Sequence, residues 1–328
     1  MEQGSNTLGV VVIGRNEGER LRACLRSLPS GCPVVYVDSG SSDGSVELAR
    51  GEGAAAVELT TDKPFSAARG RNEGFAYFRE HHPELTFVQF IDGDCVLLDG
   101  WVESGLAALG SNPKLAAVAG LRKERHPEAS WYNELCAIEW NTPVGRANAV
   151  GGDAIYRVSA FEEVGGFDPM MMAGEEPELC LRLRRQGHEI ERLDADMTLH
   201  DADIHSFSAW WKRAVRSGYA YTLGALKHGR EGYRVKEVIR SLVWGAGLPL
   251  LALAALLMGL WPLTLIVLAL YGAKWLRLRR RFKTAGLPAT RLASYLMLAN
   301  IAEVRGIAQA LTEGRSGRRI IEYKGTQS

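Results

Sequence analysis

The stretch LGVVVIGRNEGERLRACLRSLPSGCPVVYVDSGSSDG, residues 8–44, decides the fold. Leu8–Ile13 is an unbroken apolar, β-branched run, the pattern of a strand covered on both faces. Glu17–Leu28 follows with Leu21, Leu25 and Leu28 at helical spacing. Val34–Val37 is a second buried strand, and Asp43–Arg50 begins a second helix behind a polar cap. The alternation continues outward: Ala55–Leu59 as a weaker strand, Phe65–Arg79 as a helix, Thr86–Ile91 as a strand, Gly100–Leu109 as a helix, Leu115–Gly120 as a strand. Strands and helices in this rhythm predict a mostly parallel α/β sheet with helices on both faces. Ligands of such sheets sit beyond the carboxyl ends of the strands. Those ends carry Arg15-Asn16-Glu17, Asp38-Ser39-Gly40 and Asp92-Gly93-Asp94, all polar.

Beyond residue 121 the rhythm loosens. Arg122–Arg146 reads as an insertion rich in polar and aromatic residues. Order returns at Gly151-Gly152-Asp153 through Arg157, at Gly165–Asp168, and in a helix over Pro177–Gln186. From Leu242 to Leu276 the chain is almost wholly apolar, broken at Gly259-Leu260-Trp261-Pro262. One span needs about 20 residues, so this run makes either two short spans or a re-entrant hairpin, the lesser alternative being a buried helical hairpin of a soluble domain. Arg230, Arg234, Lys236 and Arg240 precede it, and Lys274, Arg277, Arg279, Arg280, Arg281 and Lys283 follow. Cations on both flanks place both ends in the cytoplasm. Pro288–Leu311 is amphipathic and suits a membrane interface. The expected organisation is an α/β domain over 1–225, with a regular half over 8–121 and a less regular half over 122–215. A membrane hairpin over 226–284 and an amphipathic helix with tail over 285–328 follow.

Lys+Arg number 39 against Asp+Glu 38 in 328 residues, a net charge of +1. With no excess cations to cover phosphates, nucleic acid is excluded as a general partner. Five cysteines without a C-x-x-C pair fit reduced cytosolic thiols. The start MEQGSNTLGVVVIGRNE has neither the basic region nor the apolar length of a signal peptide, which predicts a catalytic part on the cytoplasmic side.

Asp92-Gly93-Asp94 emerges from a strand with its carboxylates close together. A divalent cation relieves their repulsion, and Mg²⁺ takes one or two protein carboxylates plus substrate phosphates. A turn with a helix cap would use the same residues. Asp38–Gly44 is placed to hold a ribose or base edge, or is a hydrogen-bonded loop. Arg69 and Arg71 suit a diphosphate, or a solvated helical face. Glu175 and Glu176 supply a base for an acceptor hydroxyl, or merely favour a helix N-terminus. His200 is a metal ligand or a structural histidine. Trp210, Trp211 and Arg213 carry a sugar ring or anchor a membrane boundary.

In this order the pieces VVIGRNEGERLRACLRSL, VVYVDSGSSDGSVELA, FSAARGRNEGF, FIDGDC, GGDAIYRVSAFEEVGGFD and GEEPELCLRLRRQGHEI resemble family 2 glycosyltransferases of the GT-A fold, over about residues 8–215. The resemblance implies a catalytic domain over 1–225 with a nucleotide-binding half (8–121) and an acceptor half (122–215), a nucleotide-diphosphate sugar donor, Mg²⁺ or Mn²⁺, and inverting transfer. Asp38 would contact the nucleoside, with Arg15 and Glu17 in the same pocket and Arg71 on the donor phosphate or base. Asp92-Gly93-Asp94 would be the D-x-D site, Asp94 the direct ligand and His200 a further one. Gly152 and Asp153 would touch donor sugar or acceptor, and Glu176 would be the base. The family's Glu-Asp pair is Glu-Glu here with Pro177 behind it, so Glu175 is a second candidate base. The apolar hairpin resembles members that act on lipid-linked acceptors or make polysaccharide. This implies a glycan or lipid-linked acceptor, contact with membrane lipid, and a place on the bacterial inner membrane. Transfer to a polyprenyl phosphate, which needs no base, and an inactive sugar-nucleotide sensor or scaffold are the alternatives. A nicotinamide dehydrogenase is disfavoured, because Gly14-Arg15-Asn16-Glu17-Gly18 lacks G-x-G-x-x-G.

Overall fold

The computed structural model describes residues 7–316. The chain divides into two compact units, one ending at His205 and one beginning at Ser206. The first unit is built on a nine-stranded sheet in the order β3-β2-β1-β4-β8-β6-β9-β5, with β7 beside β9. Its strands are β1 (Leu8–Gly14), β2 (Val34–Asp38), β3 (Ala55–Glu58), β4 (Phe87–Asp92), β5 (Cys95–Leu97), β6 (Leu115–Glu124), β7 (Gly145–Arg146), β8 (Ala154–Arg157) and β9 (Glu189–His200). All seven residues of β1 are buried, as an unbroken apolar run demands. The helices that matter here are α1 (Glu19–Arg26), α3 (Ala67–His81), α5 (Trp131–Trp140) and α7 (Glu175–Arg185), with α2 (Ser45–Gly51), α4 (Trp101–Ser111) and α6 (Val158–Glu163) completing the layers.

Strands β3, β2, β1 and β4 are parallel, as expected. The other half departs from that expectation. β8 runs antiparallel to both β4 and β6, and β5 antiparallel to β9. No helical crossover joins β4 to β5, which follows after one turn, so the chain reverses there. Register then places the polar ends. Gly14 sits opposite Asp38 on one side, and Ile13 opposite Asp92 on the other. Cys95 pairs with His200, and Glu124 also lies opposite His200.

The second unit is helical: α8 (Phe207–His228), α9 (Val235–Leu242), a π-turn over Val243–Gly247, α10 (Leu248–Leu257), α11 (Trp261–Thr284) and α12 (Ala289–Ser316). The division at residue 206 precedes the boundary at 225 drawn from sequence, because α8 packs on α12. A Cβ on Gly306 would stand 1.9 Å from the Val215 carbonyl oxygen, so only glycine permits that approach. The amphipathic helix expected over 288–311 is α12. The tail beyond it lies outside the described residues.

Candidate active site

The carboxyl ends of β1, β2 and β4 bring Arg15, Asp38 and Asp92 to one rim of the sheet. Asp38 is buried, and its two oxygens accept from the Tyr36 hydroxyl, the Gly40 and Ser41 amides and the Ser41 hydroxyl. It therefore builds the 38–44 loop. Asn16 locks the neighbouring loop to it: its amide donates to Ser41 Oγ and its side-chain oxygen accepts from the Ser42 amide. Glu17 is buried and pairs with Arg20 at 2.9 Å. Arg15 lies over the Phe65 ring at 5.8 Å.

Arg71 does not lie on a solvated helical face: it turns inward and is 1% exposed. Its Nη2 lies 2.9 Å from Asp92 Oδ1, its Nη1 2.9 Å from Glu175 and 3.5 Å from Glu176. One guanidinium thus ties the D-x-D turn to the start of α7, a bridge between residues 21 and 104 positions away. Its planar fork makes two separate charge-assisted hydrogen bonds possible. Gly152 explains the room for it, since a Cβ there would meet Arg71 Nη2 at 2.3 Å and Asp92 at 3.2 Å. Glu175 is spent on Arg71. Glu176 remains partly open to solvent, with 19% of its side chain exposed. Burial pushes its pKa up to about 7, helped by the negative charge of Glu175 and opposed by Arg71.

Asp153 is fully buried beneath the turn. It accepts from the Asp92 amide, Thr198 Oγ1 and Cys95 Sγ, and pairs with Arg122 at 2.8 Å. Burial alone would raise its pKa, but Arg122 holds it below the usual carboxylate range. Arg122 continues outward, with Nη1 3.3 Å from His200 Nδ1 and its cation 5.6 Å from the Trp140 ring. Trp140 stacks on His200 at 4.7 Å with the planes 2° apart.

Asp94, Cys95 and His200 bring one ligand atom each within 4.8 Å of one another. Their chemistry fits a divalent cation through Asp94 first. A carboxylate and an imidazole suit Mg²⁺ or Mn²⁺ in company with phosphate oxygens. Burial and Asp153 raise the pKa of the Cys95 thiol, and hard cations such as Mg²⁺ and Mn²⁺ favour carboxylate and phosphate oxygens over sulfur. His200 Nε2 is 3.5 Å from Asp94, but its Nδ1 faces Arg122 and so acts as acceptor. Metal ligation by His200 therefore needs Arg122 to release that nitrogen. Asp92, engaged by Arg71, has 23% of its side chain exposed and faces the same rim.

Sequence reading missed Arg122, Trp140, Cys95 and Thr198. Arg122 and Trp140 fall in a segment without periodicity, and Thr198 meets Asp153 only through the pairing of β9. Cys95, adjacent to Asp94, was within reach of the sequence. Trp210, Trp211 and Arg213 belong to the second unit. Trp210 is buried and packs edge-on against Tyr295 of α12 at 4.8 Å.

A mixed sheet of this order, with an acidic turn after β4 facing a carboxylate helix start, is the GT-A glycosyltransferase fold. Residues 9–165 match the family model described as glycosyl transferase family 2. Among curated proteins the chain is 31% identical over 205 residues to "Pre-mycofactocin glycosyltransferase" of Mycobacterium tuberculosis, covering 58% of this chain and 42% of that one. It is 23% identical over 229 residues to "Glycosyltransferase AglE" of Haloferax volcanii, covering 66% and 63% respectively. The chain thus spans less than half the length of the first of these. Among solved structures it resembles a mannosyltransferase of Pyrobaculum calidifontis, described in complex with GDP-Man and Mn²⁺. The TM-score is 0.60 at 17% identity, over 93% of this chain and 87% of that one.

Proposed function

We propose that this protein is an inverting, metal-dependent glycosyltransferase that moves a hexosyl group from a nucleotide-diphosphate sugar to the hydroxyl of a glycan or lipid-linked acceptor. The observation that carries the reading is the Arg71 bridge, which holds Asp92 and the Glu175–Glu176 pair on one rim. The relatives named as glycosyltransferases, and the GDP-Man and Mn²⁺ described with the structural neighbour, support donor class and metal.

The residues perform distinct tasks. The interlocked loops of Asn16 and Asp38 offer a preorganised floor for the nucleoside. Arg71 keeps the carboxylates at fixed separation and engages Glu175 directly. Glu176, with a pKa near 7, accepts the acceptor hydroxyl proton. The freed oxygen forms its bond to the anomeric carbon while the bond from that carbon to the diphosphate breaks, and the diphosphate departs with the electron pair. Asp94, with Asp92 and in some states His200, would hold Mg²⁺ or Mn²⁺, which would offset the charge that develops on the leaving diphosphate. The exposed apolar surface of α10 and α11 supports attachment to a bacterial inner membrane, with the catalytic domain on the cytoplasmic face. Envelope or exopolysaccharide synthesis is the corresponding role.

The test is nucleotide release by purified Asp94→Ala and Glu176→Gln variants with nucleotide-sugar panels and glycan acceptors. Turnover surviving both changes would refute the mechanism. Loss with Asp94→Ala but near-silence of Glu176→Gln would instead identify a polyprenyl phosphate, whose oxygen is already ionised.

A further inference from the structure

We propose that α10 and the first half of α11 form a re-entrant hairpin that enters and leaves the same leaflet of an anionic bilayer without crossing it. This rests on the membrane attachment proposed above and not on the sugar chemistry.

Three observations converge. The first is surface. Leu257, Met258 and Trp261 at the tip are 79%, 73% and 64% exposed, and Leu250, Leu253, Leu256, Leu265 and Ile266 are exposed along the arms. No charged residue occurs between Arg240 and Lys274. An apolar surface this continuous is not left to water by a folded protein.

The second is depth. The apolar arms, Leu242–Met258 and Trp261–Ala273, are about 25 Å and about 20 Å long at 1.5 Å per residue, against a hydrocarbon core of about 30 Å. Among the described residues one helix, Val235–Leu257, is long and apolar enough to cross a membrane. A single crossing would put the two basic flanks on opposite sides, contrary to the distribution of cations. Polar groups mark the level at which the arms leave the lipid. Arg240 pairs with Glu303 at 2.9 Å, and Ser241 donates to the same carboxylate. On the other arm Lys274 lies 4.0 Å from the Trp244 ring centroid. Arg277, Arg279, Arg280, Arg281 and Lys283 follow at headgroup level, where they attract anionic lipid.

The third is the tip. Hydrocarbon tolerates only backbone whose hydrogen bonds are closed internally. Gly259 takes a left-handed conformation (φ +72°), and the Gly259 and Leu260 amides donate to the Leu256 and Ala255 carbonyls at 3.1 and 2.8 Å. Together with the Met258 amide on the Ala254 carbonyl, these bonds close three carbonyls of the α10 end. Pro262 has no amide to satisfy, and Thr264 Oγ1 donates to the Ala252 carbonyl across the arms. A crossing hairpin would leave Met258-Gly259-Leu260-Trp261-Pro262, without one charged or hydroxyl side chain, in the far aqueous phase.

The test uses the full chain in sealed membrane vesicles of both orientations. Cys32→Ser removes the one partly exposed native thiol; the other four are buried. Met258→Cys and Arg280→Cys are then treated with a membrane-impermeant maleimide. Arg280→Cys should react from one side only. Met258→Cys should react from neither side, yet at least an order of magnitude faster once detergent is added. A nitroxide on Met258→Cys should be relaxed strongly by oxygen and weakly by a water-soluble nickel chelate. Reaction of Met258→Cys from the side opposite Arg280→Cys would show a crossing and overturn the proposal. Reaction from the same side, or a tip protected from maleimide and oxygen alike, would show a hairpin in water or under protein, and overturn it too. Sugar-nucleotide turnover in the same vesicles reads the catalytic proposal separately.

Discussion

Glu176→Gln should make the protein more stable at alkaline pH while removing its activity. The Glu176 pKa is raised from 4.5 to about 7. The folded protein therefore binds this proton more tightly than the unfolded chain does. Between these two values stability falls as pH rises, and above about pH 7 the full cost of the buried charge is present. At 1.36 kcal/mol for each pH unit between the two values, that cost is about 3 kcal/mol, less whatever solvent and Arg71 relaxation recover. Glutamine keeps the shape and removes the charge. For a domain near 200 residues the gain corresponds to a Tm rise of roughly 4–10 °C at alkaline pH, shrinking toward zero near pH 4.5 where wild-type Glu176 is protonated. Turnover should fall by about 10²–10⁴-fold with loss of the base. The assay is thermal unfolding of both proteins in one detergent across pH 4.5–9, beside nucleotide release. In the wild type kcat/KM should rise with pH through about 7, because the base must be ionised. A Tm difference that does not change with pH, or one in which the variant is less stable at high pH, would refute the account of Glu176.

Other outcomes follow from the same geometry. Arg71→Lys keeps a charge but cannot reach Asp92 and Glu175 together, so turnover should drop sharply with the fold retained by circular dichroism. Arg71→Ala leaves buried carboxylates unpaired and should cost about 3–5 kcal/mol in chemical denaturation. Gly152→Ala puts a methyl 2.3 Å from Arg71 Nη2 and should cost about 1–3 kcal/mol together with activity. Asp153→Asn strands Arg122 and should destabilise by a similar amount to Arg71→Ala, with no pH dependence between 5 and 8 because the native carboxylate stays ionised there. Chelation, or Asp94→Asn, should abolish the Mn²⁺-dependent part of any nucleotide-sugar thermal shift, while a shift from nucleotide alone persists.

Strands β1, β2 and β4, the helices between them and the polar rim at their ends were legible in the sequence, because each depends on neighbours within a turn or a few residues. A buried parallel strand must be apolar throughout, and a residue after it must leave the sheet. Asp92-Gly93-Asp94 stood out for that reason, and the uncharged run from Leu242 to Ala273 declared itself by composition alone. Tertiary structure decided which charges face inward. Arg71 reads as a helix-surface cation until Glu175, 104 positions on, is folded against it. Asp153 reads as a rim residue until β8 inserts antiparallel between β4 and β6 and carries it under Asp92, where Arg122 meets it. The cost of burying a charge is settled by partners far away in sequence, and no local pattern encodes them. The helical hairpin divides the same way: the sequence supplied its apolar length, and the left-handed turn at Gly259, with the Arg240–Glu303 pair at the base, folds that length back on itself.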